Sequence, residues 1–206
     1  MVQGRKAEHS REQILEKGME LFSKQGYHAT GLTTILDACQ VSKGSFYNFF
    51  GSKEQFAVEI IEHYHSIKFE RCSNLLQSLE CPRLERLKIM LEMKIEEIEA
   101  SKEMDCGCLI ANISGELGNT SERFKEAIRS SSKVVLDALE EDLKLCQQDG
   151  TVRSDISATS LAYAFWDSWQ GALLRVKVES SVLPLRNMLD FYWNYILPPQ
   201  KEDKHS

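Results

Sequence analysis

Proline occurs four times in 206 residues and glycine eleven, too seldom for the repeated tight turns of a β-sandwich or barrel, so the chain reads as helices with short connections. No apolar run reaches the roughly 20 residues needed to cross a bilayer. The polar start, Met1 to Gln13, has no apolar h-region, and the expectation is a soluble, cytoplasmic protein with no membrane partner. Histidine is absent between residues 66 and 204, which leaves the six cysteines (Cys39, Cys72, Cys81, Cys106, Cys108 and Cys146) without the partners of a zinc site. Scattered as they are, they read as reduced thiols of a cytosol, and neither a metal nor a cofactor is expected. Net positive charge is missing too. Lys and Arg number 25 against 31 Asp and Glu, a net charge of −6, which argues against coating nucleic acid by bulk charge.

What is present is a 42% apolar content, enough for a core, and an uneven distribution of charge. Residues 1–50 hold six bases (Arg5, Lys6, Arg11, Lys17, Lys24, Lys43) against five acids (Glu8, Glu12, Glu16, Glu20, Asp37), so all of the acidic excess lies beyond residue 50. A part that approaches DNA would be the N-terminal end, because the body is repelled.

Helical periodicity runs through the chain and gives about nine helices, an all-α protein. Ser10 with Gln13 has capping-box spacing, and Ile14, Leu15, Gly18, Met19 and Phe22 recur at threes and fours until Gly26, a helix near 11–25. A second helix falls near 32–39 and a third, capped by Ser42, near 43–49. Ser52 opens a fourth that reaches about Ser78, and Pro82 a fifth. A sixth starts near Cys106 and ends near Gly118. Ser121 caps a seventh that ends at Gly150. The eighth spans about 156–179 and the ninth about 185–197, before Pro198 and Pro199.

The sharpest signal is TGLTTILDACQVSKGSFYNFFGSK, residues 30–53. Two short helices on a tight connection, the second with a serine cap, have the layout of a helix-turn-helix. Phe46 and Phe50, four apart, both face the core. Lys43, Gly44, Tyr47 and Asn48 are left on the opposite side with Ser45 beside them. A cation, an accessible backbone, two hydroxyls and an amide form a donor-rich surface suited to phosphates and base edges, and the helix N-terminus adds positive partial charge.

VSKGSFYNFFGSKEQF, Val41 to Phe56, resembles the signature of the tetracycline-repressor (TetR) family of bacterial transcription regulators, and Gly18-Met19-Glu20-Leu21-Phe22 agrees in placement. The resemblance covers residues 10–60; beyond it the agreement is in length and helix count. It implies base or phosphate contacts from Lys43, Gly44, Ser45, Tyr47 and Asn48 and a phosphate contact from Lys53. There are two departures. Gln40 stands where the family usually has glycine in the turn, and Gly31 stands where a hydroxyl often meets phosphate, which leaves Thr30, Thr33 and Thr34 to supply one. Arg5, Lys6 and Arg11 are candidates for an arm along the backbone or minor groove, with a solvated terminus the plainer reading for the first two.

A helix-turn-helix of this kind reads only a few base pairs, so a two-fold dimer on a palindromic operator of double-stranded DNA is expected. The eighth and ninth helices are the candidates for the homodimer interface, through Phe165, Leu173, Met188, Tyr192 and Ile196. Phe69, Leu91, Ile110, Asn112, Ile113, Trp166, Trp169 and Gln170 are either ordinary core or the lining of a cavity for an unknown small-molecule effector. Cys106 and Cys108 sit at a helix start that favours thiolate, although Glu103 and Asp105 oppose it. GCLIANISGELG, residues 107–118, resembles the N-ethylmaleimide-responsive branch of the family, which implies an electrophile sensor at Cys108; a small cysteine packed in a core is the competing reading. The reading is therefore a repressor with a DNA-binding domain over 1–50 and a ligand-binding and dimerisation domain over 51–206, not an enzyme. An all-helical enzyme using Cys106 or Cys108, and a DNA-binding dimer without a ligand, are the alternatives.

Overall fold

The computed structural model describes residues 11–100, 109–117 and 121–200, with residues 110–112 by their backbone alone. Ser10, Gly118, Arg5, Lys6, Cys106 and Cys108, and the side chains of Ile110 and Asn112, are thus outside the described residues. Among those described there are nine α-helices and no strand: α1 (Arg11–Gln25), α2 (Leu32–Cys39), α3 (Lys43–Phe50), α4 (Lys53–Ser78), α5 (Arg83–Ala100), α6 (Leu109–Leu117), α7 (Glu122–Gln148), α8 (Ala158–Glu179) and α9 (Leu183–Phe191). The expected all-α architecture is the observed one. The last element differs in form, since α9 starts at Leu183 and passes into a π-helical turn, Tyr192–Ile196, rather than running as α-helix to Leu197.

Side chains cap the helices where the sequence suggests. Ser42 Oγ accepts from the Ser45 N–H (3.1 Å), Ser52 Oγ from Gln55 (3.0 Å) and Ser121 Oγ from Phe124 (3.3 Å), each satisfying an N–H that the first turn leaves free. At the other end of α1, Gly26 takes a positive φ of 78°, and its N–H closes on Phe22 O at 3.0 Å.

The chain divides into two units, residues 1–67 with 109–129, and residues 68–108 with 130–206. The first unit is organised around Phe56, whose ring centroid lies 4.7 Å from Phe50, 5.1 Å from Phe46 and 5.9 Å from Phe22. The edge-on and tilted contacts suit aromatic quadrupoles. Ile14, Leu15, Ile35, Ile60 and Ile61 close the core. Gly18 is required by packing: a Cβ there would lie 2.4 Å from Phe56 Cζ and 2.5 Å from Ile60 Cδ1. The missing side chain lets α1 press onto α4, and this offsets the roughly 0.5–1 kcal/mol that glycine costs within a helix.

In the second unit, α8 buries Ala158, Leu161, Ala162, Phe165, Trp169, Ala172, Leu173 and Val176 along one continuous face. They meet Leu87, Leu91 and Ile95 of α5, Leu139 and Leu143 of α7, and Leu185, Leu189 and Tyr192 in one core. Tyr192 Oη and Ser168 Oγ share a hydrogen bond at 3.0 Å. The N–H of Arg153 donates to Leu197 O at 2.9 Å and ties down the end of the π turn.

Candidate nucleic-acid interface

The connection between α2 and α3 depends on Gln40, which adopts the left-handed conformation at φ 53°, ψ 37° while its N–H reaches Asp37 O and that of Val41 reaches Leu36 O. Glycine meets this geometry without steric cost. The turn is therefore the ordinary one with a less suited residue. Burying Phe46 and Phe50 then fixes the rotation of α3. Lys43, Gly44, Ser45, Tyr47 and Asn48 are all exposed, and the Lys43 ammonium lies over the Tyr47 ring, 6.0 Å from its centroid. On α2, Thr33 and Thr34 are exposed. Thr30 is buried and spends its hydroxyl on Gly26 O at 2.6 Å, so it presents none to a ligand.

Two of the basic candidates for DNA contact have partners inside this unit. Arg11 forms an ion pair with Glu59, and its guanidinium lies 5.3 Å from the Phe50 ring centroid, so it braces α1 against the recognition helix. Lys53 donates to Tyr27 O at 2.7 Å with its ammonium 4.1 Å from the Tyr27 ring centroid. Burial lowers its pKa, which the Glu116 carboxylate partly counters. Lys53 therefore holds the α1–α2 turn from the start of α4.

That turn is gripped from two further sides, which no sequence motif signals. Glu116 of α6 accepts from the His28 N–H at 3.0 Å and lies so close to Gly26 that a Cβ there would be 2.1 Å from Glu116 Oε1. The Tyr27 ring packs on Phe22 and on Phe124 of α7, at 5.6 and 5.4 Å. Ser121 Oγ donates to Glu54 Oε1 at 2.7 Å. Turn 26–28 is thus hydrogen-bonded to Lys53 of α4 and Glu116 of α6 and packed through Tyr27 on Phe124 of α7.

In the second unit the candidate effector residues separate. Leu91 and Trp169 are core residues, Trp166 packs against that core, and Phe69 is exposed. Gln170 has both its amide oxygen and nitrogen buried without a hydrogen-bonding partner among the described residues, an arrangement that costs stability unless something completes it. Of the candidate interface residues, Phe165, Leu173 and Tyr192 point into the chain's own core, and Met188 and Ile196 pack partly against it. The outward apolar face is a different set: Tyr163, Leu174 and Val178 on α8 and Leu183, Phe191 and Tyr195 beyond it, with Val178 84% exposed.

Three of the four described cysteines, Cys39, Cys72 and Cys146, are poorly suited to nucleophilic catalysis. Burial pushes the Cys39 thiol up to about 11 and raises Cys72 and Cys146 as well, so these three are held as neutral thiols. No helix among the described residues is long and apolar enough to cross a membrane.

Comparison with known proteins agrees with this geometry. Residues 14–60 match the family described as bacterial regulatory proteins, tetR family, and residues 83–191 match the tetracyclin repressor-like C-terminal domain. The HTH-type transcriptional repressor DhaR of Mycobacterium sp. (strain GP1) is 31% identical over 196 residues, covering 91% of this chain and 92% of its own. The repressor NemR of Escherichia coli (strain K12) is 29% identical over 190 residues, 92% of this chain and 95% of its own. Among solved structures, reduced E. coli NemR superposes with a TM-score of 0.82 at 28% identity over 91% of this chain and 96% of that one. The regulatory protein TetR from Rhodobacter sphaeroides gives 0.84 at 27% identity, over 90% and 98%. The chain belongs to the tetR family of bacterial regulatory proteins, DNA-binding transcription regulators rather than enzymes.

Proposed function

We propose that this regulator is a cytoplasmic homodimeric repressor that holds a palindromic operator with two copies of α3 and releases it when an effector acts on residues 51–206. The observation that carries the reading is the exposed Lys43, Gly44, Ser45, Tyr47 and Asn48 face on a helix whose rotation is fixed by Phe46 and Phe50. The DNA-binding domain is taken as residues 1–50. Lys43 meets a phosphate, Tyr47 and Asn48 reach base edges, and Thr33 and Thr34 supply the hydroxyls of α2. Lys53 keeps its place on Tyr27 and contributes positive charge beside the groove.

The second copy docks on the outward stripe of Tyr163, Leu174, Val178, Leu183, Phe191 and Tyr195. Tyr163, Gly171, Leu174 and Val178 recur at helical spacing on α8, and Gly171 has open space where a side chain would stand, which suits close helix approach. Val178→Lys is expected to raise the dimer dissociation constant at least about tenfold, since it replaces an apolar side chain whose burial stabilises by ~1.5–3 kcal/mol. Sedimentation at micromolar concentration reads this. An unchanged dimer removes the stripe from the interface.

For release, the effector stabilises a conformation in which α4 swings and changes the spacing of the recognition helices; bound operator then weakens effector binding by the same factor. Within the second unit, Phe69, Leu91, Trp166, Trp169 and Gln170 are its proposed surroundings, the amide of Gln170, which has no partner among the described residues, being the most specific of them. Cys108, with Cys106 near it, is the proposed electrophile sensor. A reduced form of E. coli NemR has been solved; for this chain the thiol input is proposed from the sequence around Cys108. An alkylating agent is expected to release the protein from DNA and to lose that effect in Cys108→Ser. Release that persists in the variant excludes Cys108.

A further inference from the structure

The recognition helix carries an aromatic side chain that neither its core nor its donor face accounts for. Phe46 and Phe50 point inward and are 0% and 3% exposed, whereas Phe49 remains 39% exposed, with its ring centroid 6.0 Å from that of Phe50. At 3.6 residues per turn, Phe49 projects about 40° from Ser45 and about 100° from Asn48. It therefore borders the donor face on the side away from Tyr47.

Phenylalanine has no donor or acceptor, so it can bind neither a phosphate nor a base edge by hydrogen bonding. In the major groove the base-edge group that rewards such a side chain is the C5-methyl of thymine. Asn48 next to it has the amide that pairs bidentately with adenine N6 and N7. Together they suit an A·T-containing step, with the amide on the adenine edge and the ring on a methyl.

We infer that Phe49 is a specificity-determining residue that packs on the 5-methyl group of one thymine in each operator half-site. This rests on the reading that α3 lies in the major groove. Burying one such group is worth a factor of about four per half-site, from the usual value of a buried carbon.

Deoxyuridine differs from thymidine by that methyl alone. Duplexes selected by the wild-type protein from a random-sequence pool are resynthesised with deoxyuridine at each thymine in turn, and affinity is measured for wild type, Phe49→Ala and Phe49→Leu. Wild type is expected to lose about fourfold at one thymine in each half-site. Phe49→Ala should bind the thymine and uracil duplexes alike, while Phe49→Leu, still apolar, retains the preference. A wild-type protein indifferent to uracil at every position overturns the inference even if the alanine variant fails to fold. So does a uracil penalty that survives in folded Phe49→Ala. If the wild-type protein selects no duplex, the DNA reading itself fails and the inference with it.

Discussion

Replacing Phe56 by alanine is expected to lower the stability of the N-terminal unit by about 3–5 kcal/mol, the range for truncating a large buried aromatic side chain. Phe56 is 0% exposed and its ring touches Phe22 of α1 and Phe46 and Phe50 of α3. The deletion therefore empties the point where three helices converge. The hole cannot close readily, because Gly18 already brings α1 against α4 at that position, so α1 has no side chain to move into the space. Operator binding should fall with it, since Phe46 and Phe50 keep the rotation of α3 only while they have Phe56 to rest on. Urea unfolding at fixed protein concentration, followed by tyrosine fluorescence, measures the change. A loss under about 1 kcal/mol would mean that the site repacks and that the aromatic cluster is not what seats the recognition helix. Phe49→Ala serves as the internal contrast. Its ring is largely outside the core, and its stability effect should be small beside that of Phe56.

The seating of the recognition helix is legible in the sequence itself. The inward pair Phe46 and Phe50, the caps Ser42, Ser52 and Ser121, and the stops at Gly26 and Gly150 are local signals, and local signals decide where helices begin and end. The direction of α8 is not a local matter. This helix has apolar side chains on two sides, and periodicity alone does not say which side meets its own chain. The apolar faces of the last two helices suggest Phe165, Leu173, Met188, Tyr192 and Ile196 for a partner; these lie in or against the chain's own core, and the exposed apolar side chains on α8 are Tyr163, Leu174 and Val178. The grip on turn 26–28 is hidden for a different reason. Glu116 bonds the His28 N–H 88 residues away, and Phe124 packs on Tyr27 from a helix equally remote in sequence. Such contacts leave no spacing in the sequence. Lys53 shows the same limit: its match to a family motif implies a phosphate, and its ammonium is also placed on the carbonyl and ring of Tyr27.

The second large effect concerns DNA. The proposed dimer presents α3 twice, so one substitution removes two contacts. Asn48→Ala, which deletes an amide able to read adenine bidentately, is expected to weaken specific binding by about 2–6 kcal/mol in total, from ~1–3 kcal/mol for each half-site. Most of that loss should be discrimination, leaving non-specific affinity little changed. Lys43→Ala acts differently. A lysine at a phosphate releases a counterion on binding, so its loss weakens binding to all sequences alike and makes the salt dependence shallower by about one unit per half-site. Tyr47→Ala should behave more like Asn48→Ala, with an added loss because its ring supports the Lys43 ammonium. Residues 51–206 carry all of the net negative charge, so they offer no bulk attraction to DNA in place of these contacts.

One titration tests the role of α3 most directly: affinity for a palindromic duplex from the protein's own promoter, measured across a salt series for wild type, Lys43→Ala and Asn48→Ala. Steep weakening of the wild type with salt, a shallower slope for Lys43→Ala, and lost preference for the palindrome in Asn48→Ala are the predicted results. Binding that ignores salt, or that neither substitution alters, would contradict the assignment of α3 as the surface that reads DNA.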